Sequence, residues 1–428
     1  MNILLIGSGG REHALASRIA DSPLCDRLFA APGNPGIAGC ATNLALDPAD
    51  HASVVAACKA NAIALVVIGP EAPLVAGIVD DLEAAGIAAF GPSKAAARLE
   101  GSKAFTKELC QAAGIPTARF ARFTDAAAAK AHVAGEPLPV VIKADGLAAG
   151  KGVVVAASLA EAEAAIDDML GGRFGASSAE IVIEEFLKGE EASLFALCDG
   201  ETALLFGTAQ DHKRAIDGDK GPNTGGMGAF SPAVVLDGAM SERTMAEIVR
   251  PTLAEMTRRG TPFRGFLYAG LMITAKGPYL IEYNCRFGDP ECQVLMPRLM
   301  TDLVTAMLAA HDRVLKTFTV RLSPRPAIGV VIAAKGYPGD FKRGETIAGL
   351  DAAEAIDRVR IFQAGTRSEG GRLLSNGGRV LTVVGEGANF AEAHERAYAG
   401  VAAIDWPGGF CRRDIGAKAL ARERAAKG

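Results

Sequence analysis

Residues Ile281 to Glu291 read IEYNCRFGDPE, and within them Glu282, Asn284 and Arg286 stand at i, i+2 and i+4. The runs before them, Phe266 to Ile273 and Tyr279 to Ile281, are rich in aromatic and β-branched side chains. Glu282 to Arg286 therefore read as a strand continuing into its exit loop. Alternation puts all three on one face, with neighbours about 7 Å apart. A carboxylate and a carboxamide oxygen at that spacing suit one or two Mg²⁺ ions, which take hard oxygen ligands and keep part of their water or phosphate shell. A guanidinium one step further is placed to stabilise the charge of a phosphoryl group in transfer. E-x-N-x-R alone also fits a solvated polar strand end, so the rest of the chain has to decide.

A glycine loop, GLAAGKG from Gly146 to Gly152, follows a strand over Val140 to Lys143 and leads into another over Val153 to Ala156. It is not a phosphate loop of the G-x-x-x-x-G-K-S/T kind. Asp145 stands where the first glycine belongs, Gly152 where the hydroxyl belongs, and a strand follows in place of a helix. Strand, glycine loop, strand is a hairpin flap whose tip can close over a triphosphate. Lys143 on the entering strand would reach the phosphates, and Lys151, between Gly150 and Gly152, would join on closure. The next strand, from Ile181, ends in Glu184, Glu185, Phe186 and Leu187. The backbone of Glu185 and Leu187 can pair with an adenine edge, and Glu191, beyond the Gly189 turn, can take both ribose hydroxyls.

These residues need a large scaffold. At 428 residues the chain has room for two to four domains, and 49% hydrophobic with 22% charged residues is ordinary globular composition. A net charge of −4 with no basic block argues against a nucleic-acid partner. The apolar run at the start spans only Ile3 to Ile6 before Gly7, and no later stretch approaches a membrane span, so a cytoplasmic location is expected. Eight scattered cysteines form no C-x-x-C pair and six histidines no H-E-x-x-H, which leaves no zinc site and no credible nucleophile. Alternation points Cys285 away from Glu282.

The first hundred residues alternate strand and helix: Asn2 to Ile6, Arg27 to Ala31, Ala62 to Ile68 and Ile87 to Phe90 are β-type runs closed by Gly or Pro. This is a doubly wound α/β unit whose ligand groups lie at the carboxyl ends of the strands, where Gly9, Gly10, Arg11 and Glu71 fall. A dinucleotide fingerprint is excluded because Glu12 replaces the third glycine. The turn can still offer helix N-terminal amides to a substrate phosphate. After Pro326 the chain becomes strand-rich, with runs at Ala327 to Ala333, Arg358 to Phe362 and Arg379 to Val384, then a helix over Phe390 to Ile404 capped by Asn389 with Glu392 three residues on. That segment is expected to pack on the core and complete the substrate cleft with Lys335 or Arg343.

Flap, adenine hinge and acidic metal strand, in that order, resemble the ATP-grasp superfamily. Within it the chain resembles the phosphoribosylamine–glycine ligase family over essentially its whole length. The motifs are GSGGREHALA at Gly7, APGNPG at Ala31, GPEAPLV at Gly69, FGPSKAAARLEGSKAFTK ending at Lys107, and VIKADGLAAGKGV at Val141. They continue as IEEFLKGEEAS at Ile183, QDHKR at Gln210, GPNTGGMGAFSP at Gly221, NCRFGDPECQ at Asn284, NGGRVL at Asn376 and CRRDIG at Cys411.

The resemblance implies α/β and α+β architecture: an N-terminal doubly wound parallel-sheet domain over 1–100, a central ATP-grasp domain over 101–322 with a hairpin flap subdomain at about 120–190, and a mixed α+β C-terminal domain over 323–428. It implies that Glu282 and Asn284 ligate Mg²⁺ or Mn²⁺, that Lys103 and Lys143 hold ATP phosphates under the Gly146 to Gly152 loop, and that Glu184, Glu185, Leu187 and Glu191 serve the nucleoside. A further acidic ligand, common on the preceding strand of ATP-grasp enzymes, is replaced here by Leu271 and Met272. The implied reaction joins glycine to 5-phosphoribosylamine through glycyl phosphate in a monomer. The nineteen-residue loop from Gln210 to Gly228 is the candidate grip on both substrates, its Gly225-Gly226 pair freeing amides for an anion. Asp211, Lys213 and Arg286 are expected to be catalytic, with Arg214, Gly225, Gly226, Met227, Asp289 and Glu291 beside the N-terminal residues on substrate. Two rivals are a different ATP-grasp ligase or carboxylase, disfavoured by QDHKR and NTGGMGA, and a non-catalytic nucleotide sensor, disfavoured by the presence of Lys143, Glu282, Asn284 and Arg286 together.

Overall fold

A computed structural model describes residues 1–147, 152–172 and 179–427. Five parallel strands open the chain: β1 (Asn2–Gly7), β2 (Arg27–Pro32), β3 (Thr42–Asn43), β4 (Ile63–Ile68) and β5 (Ala88–Phe90), in the order β3-β2-β1-β4-β5. Leu4 and Ile6 face one hydrophobic cluster while Ile3 and Leu5 face another, so β1 is buried on both sides as apolar strands of parallel sheets must be. The strand order reverses around β1. The crevice beyond β1 and β4, where Gly7 and Gly69 lie, is thus the switch point of this sheet.

The flap sheet consists of β6 (Phe120–Phe123), β7 (Val140–Ala144), β8 (Val153–Ala156) and β9 (Ile181–Glu185), ordered β6-β9-β7-β8 and antiparallel throughout. Helices Ala126–Val133 and Leu159–Leu170 cover one face through Ala129, Val133, Ala162 and Ile166, which pack on Val140, Ile142, Ile181 and Ile183. Period-two alternation sends Lys143 and Glu184 to the other face, toward the cleft.

A long sheet forms the centre. Its strands are β10 (Glu190–Asp199), β11 (Ala203–Asp211), β14 (Gly228–Ser231), β15 (Arg264–Thr274), β16 (Gly277–Asn284), β17 (Ala327–Ala334), β19 (Val359–Gln363) and β22 (Arg379–Glu386), ordered β16-β15-β10-β11-β14-β17-β22-β19. β12 (Arg214–Ile216) pairs with β13 (Lys220–Asn223); β18 (Thr346–Ile347), β21 (Arg372–Ser375) and β20 (Thr366–Glu369) form a small sheet, and β23 (Gly409–Phe410) pairs with β17.

Two findings depart from the sequence reading. The strands beyond Pro326 continue the central sheet, because β14 hydrogen-bonds to β17 from Gly228 opposite Val330 to Ser231 opposite Ala327. The 210–228 segment is also not an irregular loop: β12 and β13 make a hairpin turned by Gly218 and Asp219, both at positive φ. The Asp-Gly-Asp run that marks this turn carries too little hydrophobic alternation on either side to announce strands. The Asn389 cap, by contrast, is as expected, its side chain accepting from the Glu392 amide at the start of helix Phe390–Ala403.

The N-terminal helix Gly10–Ala20 meets β19 through His13, whose Nδ1 accepts from the Gln363 amide at 2.9 Å. Burial lowers the His13 pKa to about 4 from 6.5. The folded imidazole stays neutral where the unfolded one gains a proton, so its contribution to stability is full above pH 6.5 and is lost as pH falls toward 4. In denaturant titrations across that window, stability should fall with pH, and the slope should be shallower in His13→Gln; an unchanged slope would show that His13 does not carry this linkage.

Candidate functional site

Glu184 organises the flap side of the cleft. Its Oε1 lies 2.9 Å from Lys143 Nζ and 3.1 Å from Lys107 Nζ, with all three side chains at most 5% exposed. Lys107 also donates to Thr117 Oγ1, and Lys143 to the Ile281 carbonyl on β16. One carboxylate between two buried ammonium groups leaves an excess positive charge, which calls for an anionic ligand. Lys103 adds a third amine, donating to the Gly146 carbonyl at 2.9 Å. Burial lowers the pKa of Lys103 and of Lys107, with Glu282 opposing the shift at the first and Glu184 at the second. Lys107 was not singled out from sequence, although it lies four residues after Lys103 on helix Lys103–Ala113 and hence on the same face. Gly150 and Lys151 fall outside the described residues, while Gly152 accepts from the Ala144 amide at the flap base.

Glu282 and Asn284 lie half-buried at the end of β16, and neither side chain makes a hydrogen bond or ion pair among the described residues. Among the described residues no group of three or more His, Cys, Asp or Glu is positioned for a metal. A free carboxylate and a free carboxamide facing Lys103 fit a Mg²⁺ or Mn²⁺ ion completed by phosphate and water oxygens, and would not suffice for a cation held by protein alone.

At the hinge, the Glu185 amide is already donated to the Arg119 carbonyl, and its carboxylate is clasped by Arg119 through the amide at 2.8 Å and Nε at 3.0 Å. That removes the Glu185 N–H from the expected adenine contacts. The Leu187 backbone makes no hydrogen bond among the described residues and stays open. Glu191 meets Lys213 at 2.8 Å, in a shallow cleft lined also by Ser193, Asp211, Tyr268 and Glu282. Burial alone would lower the Lys213 pKa, but Glu191 and Asp211 together hold it well above its ordinary value. Burial pushes the Asp211 carboxyl up, and Glu291 and Glu191 add to the shift against the opposing Lys213. Glu291 is buried and reaches Ser193 Oγ at 3.4 Å.

Arg286 lies beyond the end of β16, so strand alternation does not carry it onto the face of Glu282 and Asn284. It donates from Nε to Glu71 at 3.1 Å, from Nη2 to Glu100 at 2.7 Å and from Nη1 to the Phe287 carbonyl at 3.1 Å. Each of the three nitrogens already has a partner and the charge is shared with two carboxylates, so the guanidinium is not the open phosphoryl clamp expected from sequence. Arg11 continues this chain of charges, pairing with Glu12 at 2.6 Å and lying 4.0 Å from Glu71. Cys285 is no nucleophile: its buried thiol lies 3.1 Å from Glu100, and burial together with that carboxylate raises its pKa.

Several other expectations need correction. The Gly9 amide donates to Glu12 Oε2 at 2.7 Å, so the helix caps itself with its own carboxylate where a substrate phosphate was expected. The Gly225 amide donates to Tyr337 and the Gly226 amide to Thr224, leaving neither for an anion. Gly226 is required for another reason: it has φ 113°, and a Cβ there would come within 2.5 Å of Pro290. Met227 is fully buried against Val331 and Ala333, with its amide and carbonyl both in backbone hydrogen bonds. Arg214 turns to the Gly221 carbonyl within its hairpin. Lys335 donates to the Pro407 carbonyl and Arg343 lies over Phe341, both within the C-terminal segment. That segment instead supplies Arg379, which pairs with Asp289 at 3.3 Å. Its only signal in the sequence was its place after the two glycines of NGGR.

The flap side yields a stability test. Glu184→Ala leaves two buried ammonium groups without their carboxylate and is expected to cost about 3–5 kcal/mol. Chemical denaturation that finds wild-type stability would show that the lysines do not depend on it.

Comparisons with known proteins identify the family. The family description "Phosphoribosylglycinamide synthetase, ATP-grasp (A) domain" matches residues 101–292, its N domain 1–100 and its C domain 327–418. A phosphoribosylamine–glycine ligase of Mesorhizobium japonicum is 61% identical over 100% of both chains, and one of Agrobacterium fabrum 59% identical over 99% of this chain and 100% of its own. The crystal structure of the Thermotoga maritima ligase of that name aligns with TM-score 0.86 at 33% identity, covering 97% of this chain and 100% of that one. The biotin carboxylase domain of Hydrogenobacter thermophilus 2-oxoglutarate carboxylase shares the fold alone, at TM-score 0.72 and 17% identity over 96% of this chain and 91% of that one. With all three family domains matched in order and near-identical length in its relatives, the chain belongs to the phosphoribosylamine–glycine ligase family.

Proposed function

We propose that the protein joins glycine to 5-phosphoribosylamine at the expense of ATP, giving glycinamide ribonucleotide, ADP and phosphate in purine biosynthesis, by way of glycyl phosphate. Full-length identity to named ligases supports the overall reaction. The observation that carries the ATP-dependent step is the pair of buried lysines on one carboxylate, facing unpartnered Glu282 and Asn284.

A glycine carboxylate is a poor acylating agent at neutral pH, so it must first become a mixed anhydride. Its oxygen attacks the γ-phosphorus of ATP and ADP leaves; the amine of phosphoribosylamine then attacks the glycyl carbonyl, the amide C–N bond forms, the C–O bond to phosphate breaks, and the amine proton is released. Lys103, Lys107 and Lys143 hold the phosphates. Glu282 and Asn284 would hold a divalent ion, which would supply neutralisation of phosphate charge. Lys213, kept charged by Glu191 and Asp211, orients a substrate oxyanion. Arg286, pinned between Glu71 and Glu100, acts as a positioning residue that fixes the exit of β16, and with it Glu282 and Asn284, against the N-terminal sheet. No step needs an enzyme nucleophile. No helix among the described residues is long and apolar enough to cross a membrane.

Phosphate release from Mg-ATP should require glycine and phosphoribosylamine together, with one glycinamide ribonucleotide formed per phosphate; release indifferent to glycine would overturn the substrate assignment. Arg286→Ala should lower turnover by on the order of 10², the size expected when the groups around a reacting centre lose their placement. Near-normal turnover would remove Arg286 from the mechanism.

A further inference from the structure

Asp289 lies where three distant parts of the chain meet. A Cβ on Gly9 would come within 3.4 Å of its Oδ2, and one on Gly10 within 2.7 Å of Gln293 and 3.6 Å of Ala364, so the N-terminal helix packs directly on the RFGDPE segment and on the loop after β19. Arg379 enters this junction from β22. Its Nη1 donates to the Asp289 carbonyl at 2.6 Å and the Gly225 carbonyl at 2.7 Å, and lies 3.3 Å from the Asp289 carboxylate.

A sugar phosphate bound here needs donors, and most of those suggested by the sequence are occupied. The Gly9 amide serves Glu12, the Gly225 amide Tyr337 and the Gly226 amide Thr224. Arg286 has a partner on each of its three nitrogens, and Arg11 has Nε on Glu12 and Nη1 on the Phe287 carbonyl, which leaves it Nη2 but no side-on fork. Arg379 differs: Nε and Nη2 make no hydrogen bond among the described residues. These two nitrogens form the side-on fork of a guanidinium, the geometry that grips two oxygens of one phosphate. The side chain is 22% exposed, so the fork is reachable yet partly desolvated. Gly225 keeps it uncovered, since a Cβ there would lie 3.1–3.3 Å from Cζ, Nη2 and Nε.

We propose that Arg379 anchors the 5-phosphate of phosphoribosylamine, while its Nη1 fixes the Gly225–Gly226 turn against Asp289. The proposal rests on the ligase reading above. Glycine carries the other substrate oxyanion, but its carboxylate must reach ATP beside Lys143 and Glu282, on the flap side of the cleft; the phosphate, at the far end of the sugar from the reacting amine, is the group left for the three-way junction.

The test compares wild type with Arg379→Gln, Arg379→Lys and Gly225→Ala, using phosphoribosylamine generated in place and ribose 5-phosphate as a stable competitor, with ribose as the phosphate-free control. Ribose 5-phosphate, and not ribose, should compete with phosphoribosylamine in wild type. Arg379→Gln should raise both the KM for phosphoribosylamine and the Ki of ribose 5-phosphate at least tenfold, with the KM values for ATP and glycine within twofold. Arg379→Lys, which keeps charge but not the fork, should fall between, and Gly225→Ala should weaken ribose 5-phosphate in the same sense. An unchanged Ki in Arg379→Gln, a wild type insensitive to ribose 5-phosphate, or a selective rise in the KM for glycine would overturn the proposal. If Arg379→Gln does not fold, Gly225→Ala decides alone by the same Ki. A wild type inactive with phosphoribosylamine would be a failure of the ligase reading, visible before any variant is compared.

Discussion

Glu184 sets one negative charge between Lys107 and Lys143 in a place almost closed to water. An isolated buried ammonium is unstable, and two on a single carboxylate are only half compensated. The remaining charge is a standing demand for an anion, and the strand that supplies Glu184 leads on through Glu185 toward Leu187. The arrangement depends on the flap sheet: register pairs Ile142 with Ile183, which points both at the covering helices and thereby turns Lys143 and Glu184 to the cleft. It depends equally on the central sheet, because Lys143 also reaches the Ile281 carbonyl one residue before Glu282.

The substrate side is built on a different principle. Alternating charges run from Glu12 through Arg11, Glu71 and Arg286 to Glu100, tying the N-terminal sheet to the exit of the metal strand. On the opposite flank, fully buried Arg412 binds Asp219, Asp414 and the Arg214 carbonyl, fastening the β12–β13 hairpin to the C-terminal segment. Each of these arginines is neutralised by partners from more than one segment. Removing one therefore disturbs the relative placement of segments as well as the local charge.

Much was legible from pattern. The parallel strands announced themselves as apolar runs closed by glycine or proline, the flap as two short apolar strands around a glycine loop, and the last long helix by Asn389 and Glu392. Glu282 and Asn284 stood out because strand spacing carries side-chain direction, Lys143 by its place on the strand entering the flap, and Glu191 by its place after the Gly189 turn. Failures came where a residue's partner lies far along the chain. Glu12 was read only as a missing glycine, although a glutamate at that position of a helix start is a capping residue. Gly225 and Gly226 were credited with free amides that Tyr337 and Thr224 in fact engage, and Met227 with a ligand role when it fills a core.

What the sequence by itself determined is the set of local elements, their order and the residue types at the cleft, because hydrophobic period, turn residues and caps act over a few positions. Its motifs also sufficed to place the chain in its family. Tertiary structure alone decided which charges are free. Whether Arg286 or Arg379 has an open fork, whether an amide is available, and whether the strands after Pro326 stand apart or extend the central sheet are questions of contacts between residues tens to hundreds of positions apart. No local pattern encodes them, since hydrogen-bond partners are allotted only when the segments pack.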